Sequence, residues 1–220
     1  MADPATRLAE VQNAIARACR TARRDPVEVT LVAVSKTHSA TEIEALLELG
    51  QRDFGESRVQ ESADKWPALR TRYPDARIHL IGRLQSNKAA EAVALFDIIH
   101  SLDRPSLLKA LVEAGEKAGR FPPCFVQVNI GEEEQKGGVA LVDLPGFLDE
   151  VRASPLPLAG LMAIPPAGVQ AAPYFALLAE LARRYGVAGL SMGMSGDYAS
   201  AVTLGATVVR VGSALFEDPA

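Results

Sequence analysis

Lys36 stands where a lysine can do chemistry. It directly follows Val29-Thr30-Leu31-Val32-Ala33-Val34-Ser35, a run that reads as a buried β-strand. At the mouth of such a strand an ammonium group is partly desolvated, and desolvation disfavours its charged form. A neutral amine there is a nucleophile whose natural chemistry is a Schiff base with an aldehyde. The plainer alternative is a solvated lysine that opens a loop. Two other segments suit an anion. Gly193-Met194-Ser195-Gly196 lies just before a helical pattern, and Gly212-Ser213 follows the last strand. Glycines let the backbone approach a ligand closely, a helix start offers unpaired N–H groups, and the serines add hydroxyls. Arg210 sits inside the otherwise apolar Thr207-Val208-Val209-Arg210-Val211. A buried arginine needs a partner, either a barrel carboxylate or a ligand held above the strand.

These residues are spaced along a chain that alternates strand and helix patterns. An amphipathic helix over 5–24, with Leu8, Val11, Ile15 and Ala18 on one stripe, precedes strand 29–35. Thr41 to Glu44 reads as a capping box opening a helix that ends at Gly50. Strand 52–55 leads to a second capping box over 57–60 and a helix running to about Arg70. Strand 77–81, helix 86–94, strand 97–100 and a helix over 104–118 capped by Asp103 complete the first half. The second half reads as strand 124–129, a polar loop 131–138, helix 142–153, strand 156–161, helix 171–185, strand 188–191, helix 197–204 and strand 207–211.

Eight short strands alternating with helices are the signature of an α/β fold, a single (β/α)8 barrel of the TIM type. The 220 residues fall a little short of the ~250 usual for that fold, and an open doubly wound sheet is the alternative. No linker or composition shift divides the chain, so 1–220 reads as one domain with the 5–24 helix ahead of strand 1. In a barrel, function sits at the C-terminal ends of strands. That rule selects Lys36, Glu56, Ser57, Gly82, Arg83, Asn129, Met162, Met192 to Gly196, Gly212 and Ser213. The loops after strands 7 and 8 often hold phosphate together. Met162, Met192 and Met194 are expected as apolar lining of the same site.

Hydrophobic residues make up 48% of the chain, enough for a substantial core. The formal net charge of −4 argues against broad binding to nucleic acid or anionic membrane, though not against a local basic pocket. Cys19 and Cys124 read as buried free thiols. The N-terminus lacks a secretory pattern and no apolar run could span a bilayer, so the cytoplasm is the expected compartment. His38, His79 and His100 are too scattered for a metal site and read as structural or solvated. Glu132-Glu133-Glu134 reads as a solvated loop face beside Lys136.

Several segments carry a more specific signal. They are Ala33-Val34-Ser35-Lys36-Thr37, Phe54-Gly55-Glu56 with Val59-Gln60-Glu61, and His79 with Ile81-Gly82 and Leu84-Gln85-Ser86-Asn87-Lys88. Farther on come Val128-Asn129-Ile130, Gly160-Leu161-Met162-Ala163-Ile164-Pro165, Leu190 to Tyr198, and Val209-Arg210-Val211-Gly212-Ser213-Ala214. In this order they resemble the motifs of the pyridoxal phosphate homeostasis protein family, which is similar in fold to the barrel domain of alanine racemase. The resemblance implies that Lys36 carries pyridoxal 5'-phosphate as a Schiff base. It implies that Ser195, Gly196, Gly212 and Ser213 hold the phosphate and that Arg210 faces the pyridine nitrogen. An arginine there keeps that nitrogen unprotonated and weakens the ring as an electron sink.

The same resemblance implies a reversible carrier and regulator of pyridoxal phosphate, acting in vitamin B6 and amino-acid balance, in place of an enzyme. Alanine racemase draws an opposing tyrosine from a second domain. No second-domain pattern follows strand 8 here, and Tyr73, Tyr174, Tyr185 and Tyr198 fall in or beside helices. The expected partners are pyridoxal phosphate and the apo-forms of enzymes that use it, with the chain a monomer. The competing readings are a pyridoxal-phosphate-dependent amino-acid racemase and a cofactor-free Schiff-base aldolase. Three places depart from the family pattern. Ser57-Arg58 replaces an asparagine and an aromatic residue, Lys136-Gly137-Gly138 lacks the usual serine, and Phe216-Glu217 stands where a glycine is usual.

Overall fold

The computed structural model describes residues 3–133 and 135–216. Glu134 and Glu217 lie outside the described residues. The strands are β1 (Thr30–Val34), β2 (Asp53–Glu56), β3 (Arg77–Leu80), β4 (Ile98–Leu102), β5 (Cys124–Gln127), β6 (Leu158–Met162), β7 (Gly189–Ser191) and β8 (Val208–Val211). They pair in chain order, all parallel, and β8 closes onto β1 with Thr30 opposite Val208 and Ala33 opposite Val211. The sheet is therefore a closed barrel and not an open doubly wound sheet. Its strands are rich in Val, Ile and Leu because both faces are covered.

The helices are α1 (Pro4–Thr21), α2 (Ala40–Glu48), α3 (Val59–Arg72), α4 (Ala89–Leu95), α5 (Pro105–Ala118), α6 (Leu144–Ala153), α7 (Ala172–Arg184), α8 (Tyr198–Thr203) and α9 (Ser213–Phe216). None among the described residues is long and apolar enough to cross a membrane. Strand alternation sorts side chains between this helical layer and the barrel lumen. Ala33, Phe54, Ile78, Ile99, Leu161 and Val209 face outward and join a large core with Trp66, Phe96 and Phe175. The lumen holds a much smaller apolar cluster of Val32, Phe125, Met162 and Val208. The same inward phase of the strands carries Asp53, His79, His100, Ser191 and Arg210, all buried. Cys19 and Cys124 are buried free thiols, and burial pushes the Cys124 thiol up to about 12.

Several helix starts differ from the sequence reading. Ser39, not Thr41, caps α2: its hydroxyl oxygen accepts from the Glu42 N–H at 3.3 Å, and the Glu42 carboxylate accepts from the Ser39 N–H at 2.8 Å. The same four-residue spacing occurs twice in succession, and the earlier pair closes the box. α3 and α5 begin on Arg58 and Arg104 without a side-chain cap. Ser57 is committed elsewhere, because its backbone packs against Gly82; a Cβ there would lie 2.2 Å from the Ser57 carbonyl oxygen. Asp103 is drawn to the neighbouring Arg104 guanidinium at 2.5 Å. The pattern over 86–94 opens with a 3-10 turn, Ser86–Lys88, before α4.

Gly160 and Gly189 let β6 and β7 approach closely beneath the Phe125 ring. A Cβ on Gly160 would fall 2.2 Å from the Gly189 carbonyl oxygen, in backbone that cannot yield. Gly160→Ala is expected to cost about 1–3 kcal/mol by overpacking, lowering Tm by about 2–4 °C for each kcal/mol. Calorimetry checks this; an unchanged Tm would contradict the packing described.

Candidate functional site

The C-terminal ends of the strands open on a cavity of about 800 Å³. Lys36, Ser195, Gly196, Arg210, Gly212 and Ser213 all line it, and Ser57, Ile81, Arg83, Asn129 and Lys136 form much of the remaining wall. Its ionisable side chains among the described residues are Lys36, Arg83, Lys136 and Arg210, all cationic; no carboxylate, histidine or tyrosine lines it. Lysine and arginine side chains gathered at one mouth suit an anion, although Lys136 is paired with Glu133 at 2.5 Å. No group of metal-ligating side chains occurs among the described residues.

Lys36 is in phase with Val32 and Val34, which aims it at the lumen side. Its side chain is exposed at the cavity and not desolvated as expected, because β1 ends at Val34 and Lys36 already belongs to the loop. It has no hydrogen-bond or ion-pair partner among the described residues. Its backbone, by contrast, is clamped. The Ser35 hydroxyl donates to Glu56 Oε1 at 2.7 Å. Lys65 Nζ donates to the Ser35 and His38 carbonyls at 3.0 and 3.2 Å. The Thr37 N–H donates to Glu61 Oε1 at 2.8 Å. Thr37 needs that grip, since its φ of +67° is left-handed and costs a non-glycine residue about 1–3 kcal/mol.

Glu56, selected by the strand-end rule, does not reach the cavity. It alternates outward with Phe54, and its Oε1 also accepts from Trp66 Nε1 at 3.0 Å and lies 2.9 Å from Lys65 Nζ. Met162 packs in the lumen and Met192 in the outer core, so of the three methionines only Met194 lines the cavity. Nothing in the sequence set Lys65 apart from a solvated helical lysine. The repeat of acid and base at positions 61 and 65, one helical turn apart, is the signal that could have found the clamp.

The loops after β7 and β8 meet through one hydroxyl. The first turns at Gly193, with φ +93° and a position where a Cβ would lie 2.6 Å from that of Ala201. Asp197 Oδ1 accepts from the Met194 N–H at 2.6 Å. Ser195 Oγ then accepts from the N–H groups of Gly212 and Ala214 at 3.1 and 3.5 Å. The N–H groups of Ser195, Gly196 and Ser213 find no acceptor among the described residues. Unpaired backbone donors from both loops thus lie on the wall of one cationic cavity, as a phosphate site requires.

Arg210 is only 3% exposed. It pairs with no carboxylate: Nη1 donates to Ser191 Oγ at 2.5 Å and Nη2 to the Ala163 carbonyl at 3.0 Å. Burial lowers its pKa to about 10, against the raising field of Asp197, so it stays cationic at neutral pH. Behind it lie the two histidines. His100 Nδ1 is 2.8 Å from Ser191 Oγ, and His79 Nδ1 is 2.9 Å from His100 Nε2. His79 Nε2 is 2.8 Å from Asp53 Oδ1. The readable sign was a set of polar residues at lumen-facing positions of apolar strands.

Residues 7–219 match the family described as alanine racemase, N-terminal domain. A pyridoxal phosphate homeostasis protein of Pseudomonas aeruginosa is 41% identical over 226 residues, covering 98% of this chain and 96% of that one. The solved structure of PipY of Synechococcus elongatus, with PLP bound, is 38% identical, with a TM-score of 0.84 over 97% of this chain and 100% of that one. An alanine racemase of Corynebacterium glutamicum is 19% identical, with a TM-score of 0.63 over 92% of this chain and 60% of that longer chain. The last likeness shows the barrel alone.

Lys65→Met removes the cation shared by Glu56, Glu61 and two carbonyls. A buried carboxylate left without its partner costs about 3–5 kcal/mol. Urea unfolding is expected to show a lower midpoint at unchanged m; a midpoint equal to wild type would show that the clamp carries no load.

Proposed function

The chain belongs to the alanine racemase N-terminal domain family, and on that premise we propose that it is a reversible, covalent carrier of pyridoxal 5'-phosphate serving vitamin B6 homeostasis. The observation that carries this reading is an unpartnered lysine in an all-cationic cavity whose opposite loops present unpaired N–H groups. A relative with PLP bound and the homeostasis proteins among its kin support it. When bound, pyridoxal 5'-phosphate supplies an aldehyde that condenses reversibly with a primary amine.

The residues present fit that group. About 800 Å³ is within the usual range for a cofactor pocket. Lys36 would give the amine. The N–H groups of Ser195, Gly196 and Ser213, with the Ser213 hydroxyl, would receive the phosphate oxygens. Gly212 keeps the wall low beside Val34, where a Cβ would sit 3.4 Å from the Val34 Cβ. Arg210 would present its remaining N–H groups to the ring nitrogen. Arg83 adds positive potential at the wall, whereas the charge of Lys136 is offset by Glu133 at 2.5 Å.

Carrier and enzyme differ in proton handling. Carbon-acid chemistry needs one group to take a proton and another to return it. Among the described residues the cavity offers no tyrosine, histidine or carboxylate to work opposite Lys36. Arg210, cationic at neutral pH, brings no proton acceptor to the ring. The reading is therefore of a protein that holds the aldehyde without robust turnover of its own; that it passes the aldehyde to apo-enzymes as a cytoplasmic, single-domain monomer over 1–220 is part of the same proposal.

Added pyridoxal 5'-phosphate is expected to give wild type a visible absorption band that borohydride abolishes, and Lys36→Ala no such band. Pyridoxal, lacking the phosphate, is expected to bind at least about tenfold more weakly, since hydrogen bonds to a charged group contribute about 1.5–3 kcal/mol. α-Proton exchange on a panel of amino acids should stay far below about 1 s⁻¹, the low end of ordinary turnover. Equal binding of both aldehydes, or turnover in the ordinary range, contradicts the proposal.

A further inference from the structure

Arg77, Asp53, His79, His100, Ser191 and Arg210 form an unbroken polar chain through the barrel lumen. The successive separations are 2.7, 2.8, 2.9, 2.8 and 2.5 Å. The chain starts at the N-terminal end of β2, where the half-exposed Arg77 side chain meets Asp53. It ends on Arg210 at the cavity. Asp53, His79, His100, Ser191 and Arg210 are all buried. Barrel lumens are ordinarily packed with branched aliphatic side chains, and five buried polar groups in a row cost stability unless every one is satisfied.

The direction of their hydrogen bonds follows from the protons on the two imidazoles. Burial works against an ionised Asp53, but the hydrogen bond and charge of His79 and those of Arg77 outweigh it and hold the carboxyl below its usual range. A carboxylate only accepts, so His79 Nε2 carries a proton. Burial first, then the charges of His79 and Arg210, drive His100 well below its ordinary value, so it is neutral. Where His79 carries only its Nε2 proton, its Nδ1 accepts from His100 Nε2–H. His100 Nδ1 then accepts from the Ser191 hydroxyl, whose lone pairs are left for Arg210 Nη1. Arg210, which can only donate, and Asp53, which can only accept, both fit this sense. A proton added to His79 reverses both histidine bonds. Ser191 Oγ would then accept from His100 and Arg210 together, and its own proton would turn away.

The groups facing this chain are few. The Phe125 ring stacks on His100 at 4.5 Å, Arg77 faces Asp53, and Asp197 acts on Arg210. We propose that His79 and His100, with Asp53 and Ser191, are positioning residues for Arg210, and that they transmit the state of the Asp53–His79 pair from the base of the barrel to the ligand cavity. The inference rests on the reading that Arg210 faces the ring of bound pyridoxal phosphate.

Imidazole NMR of the ligand-free wild type near neutral pH tests the direction without any ligand. Both histidines are expected as the Nε2–H tautomer; His100 as the Nδ1–H tautomer overturns the chain's polarity. Transmission is tested on the loaded protein. Asp53→Asn removes the carboxylate charge and makes one of its two acceptor positions a donor, and is expected to shift the visible band and weaken cofactor affinity about fivefold or more, a modest coupling. Ser191→Ala cuts the chain, so adding Asp53→Asn to it should change neither further. Additive effects, or an unaltered band and affinity in folded Asp53→Asn, overturn the proposal. If Asp53→Asn fails to fold, the wild-type tautomers decide. Failure of wild type to take the aldehyde at Lys36 would sink the carrier reading and leave the tautomer result standing.

Discussion

Closure of the barrel is the constraint on which the site depends. Parallel hydrogen bonds between β1 and β8 place Ala33 beside Val211. That register brings the loop carrying Lys36 against the loop carrying Gly212 and Ser213, although most of the chain lies between them. An amine at one strand end and anion-binding donors at another become a single cavity only when the last strand pairs with the first. An open sheet with the same strands would leave them on opposite edges. The glycines at β6 and β7 belong to the same requirement, since the strands must approach closely to complete the ring.

Within the closed barrel, two polar devices fix the site from opposite directions. Outside the ring, Lys65 and Glu61 on α3 hold the backbone on both sides of Lys36 and restrain the left-handed Thr37. The lysine side chain itself is left unpartnered. Inside the ring, a chain of buried donors and acceptors holds Arg210. Neither device touches the cavity along most of its length. Most of the buried polar side chains thus belong to these two devices, and the charged side chains left on the cavity wall are cations. That division is what the carrier proposal builds on.

The strands and their order were legible because strands covered on both faces read as apolar runs at regular spacing. The strand-end rule picked Lys36, Ser195 and Ser213, and Arg210 stood out inside an apolar strand, for the same reason: few polar residues interrupt those runs. Caps were less legible. Ser39 and Thr41 each precede an acid at the same spacing, and which of them closes the box is settled by where the loop leaves β1. The exposure of Lys36 was not legible, because a strand end shifted by one or two residues decides between core and solvent. The lumen chain was legible only as polar residues inside apolar strands, not as a connected chain. Its bonds join residues 26, 21, 91 and 19 apart in sequence, so His79 and His100 look scattered until the barrel closes.

In the carrier proposal one amine, Lys36, forms the covalent link while the opposite loops hold the phosphate. Borohydride reduction of the loaded protein, followed by peptide mapping with mass spectrometry, tests it most directly. The account predicts one pyridoxyl-phosphate adduct, carried on Lys36. An adduct on Lys136 with Lys36 unmodified, or labelling spread over surface lysines, would contradict it.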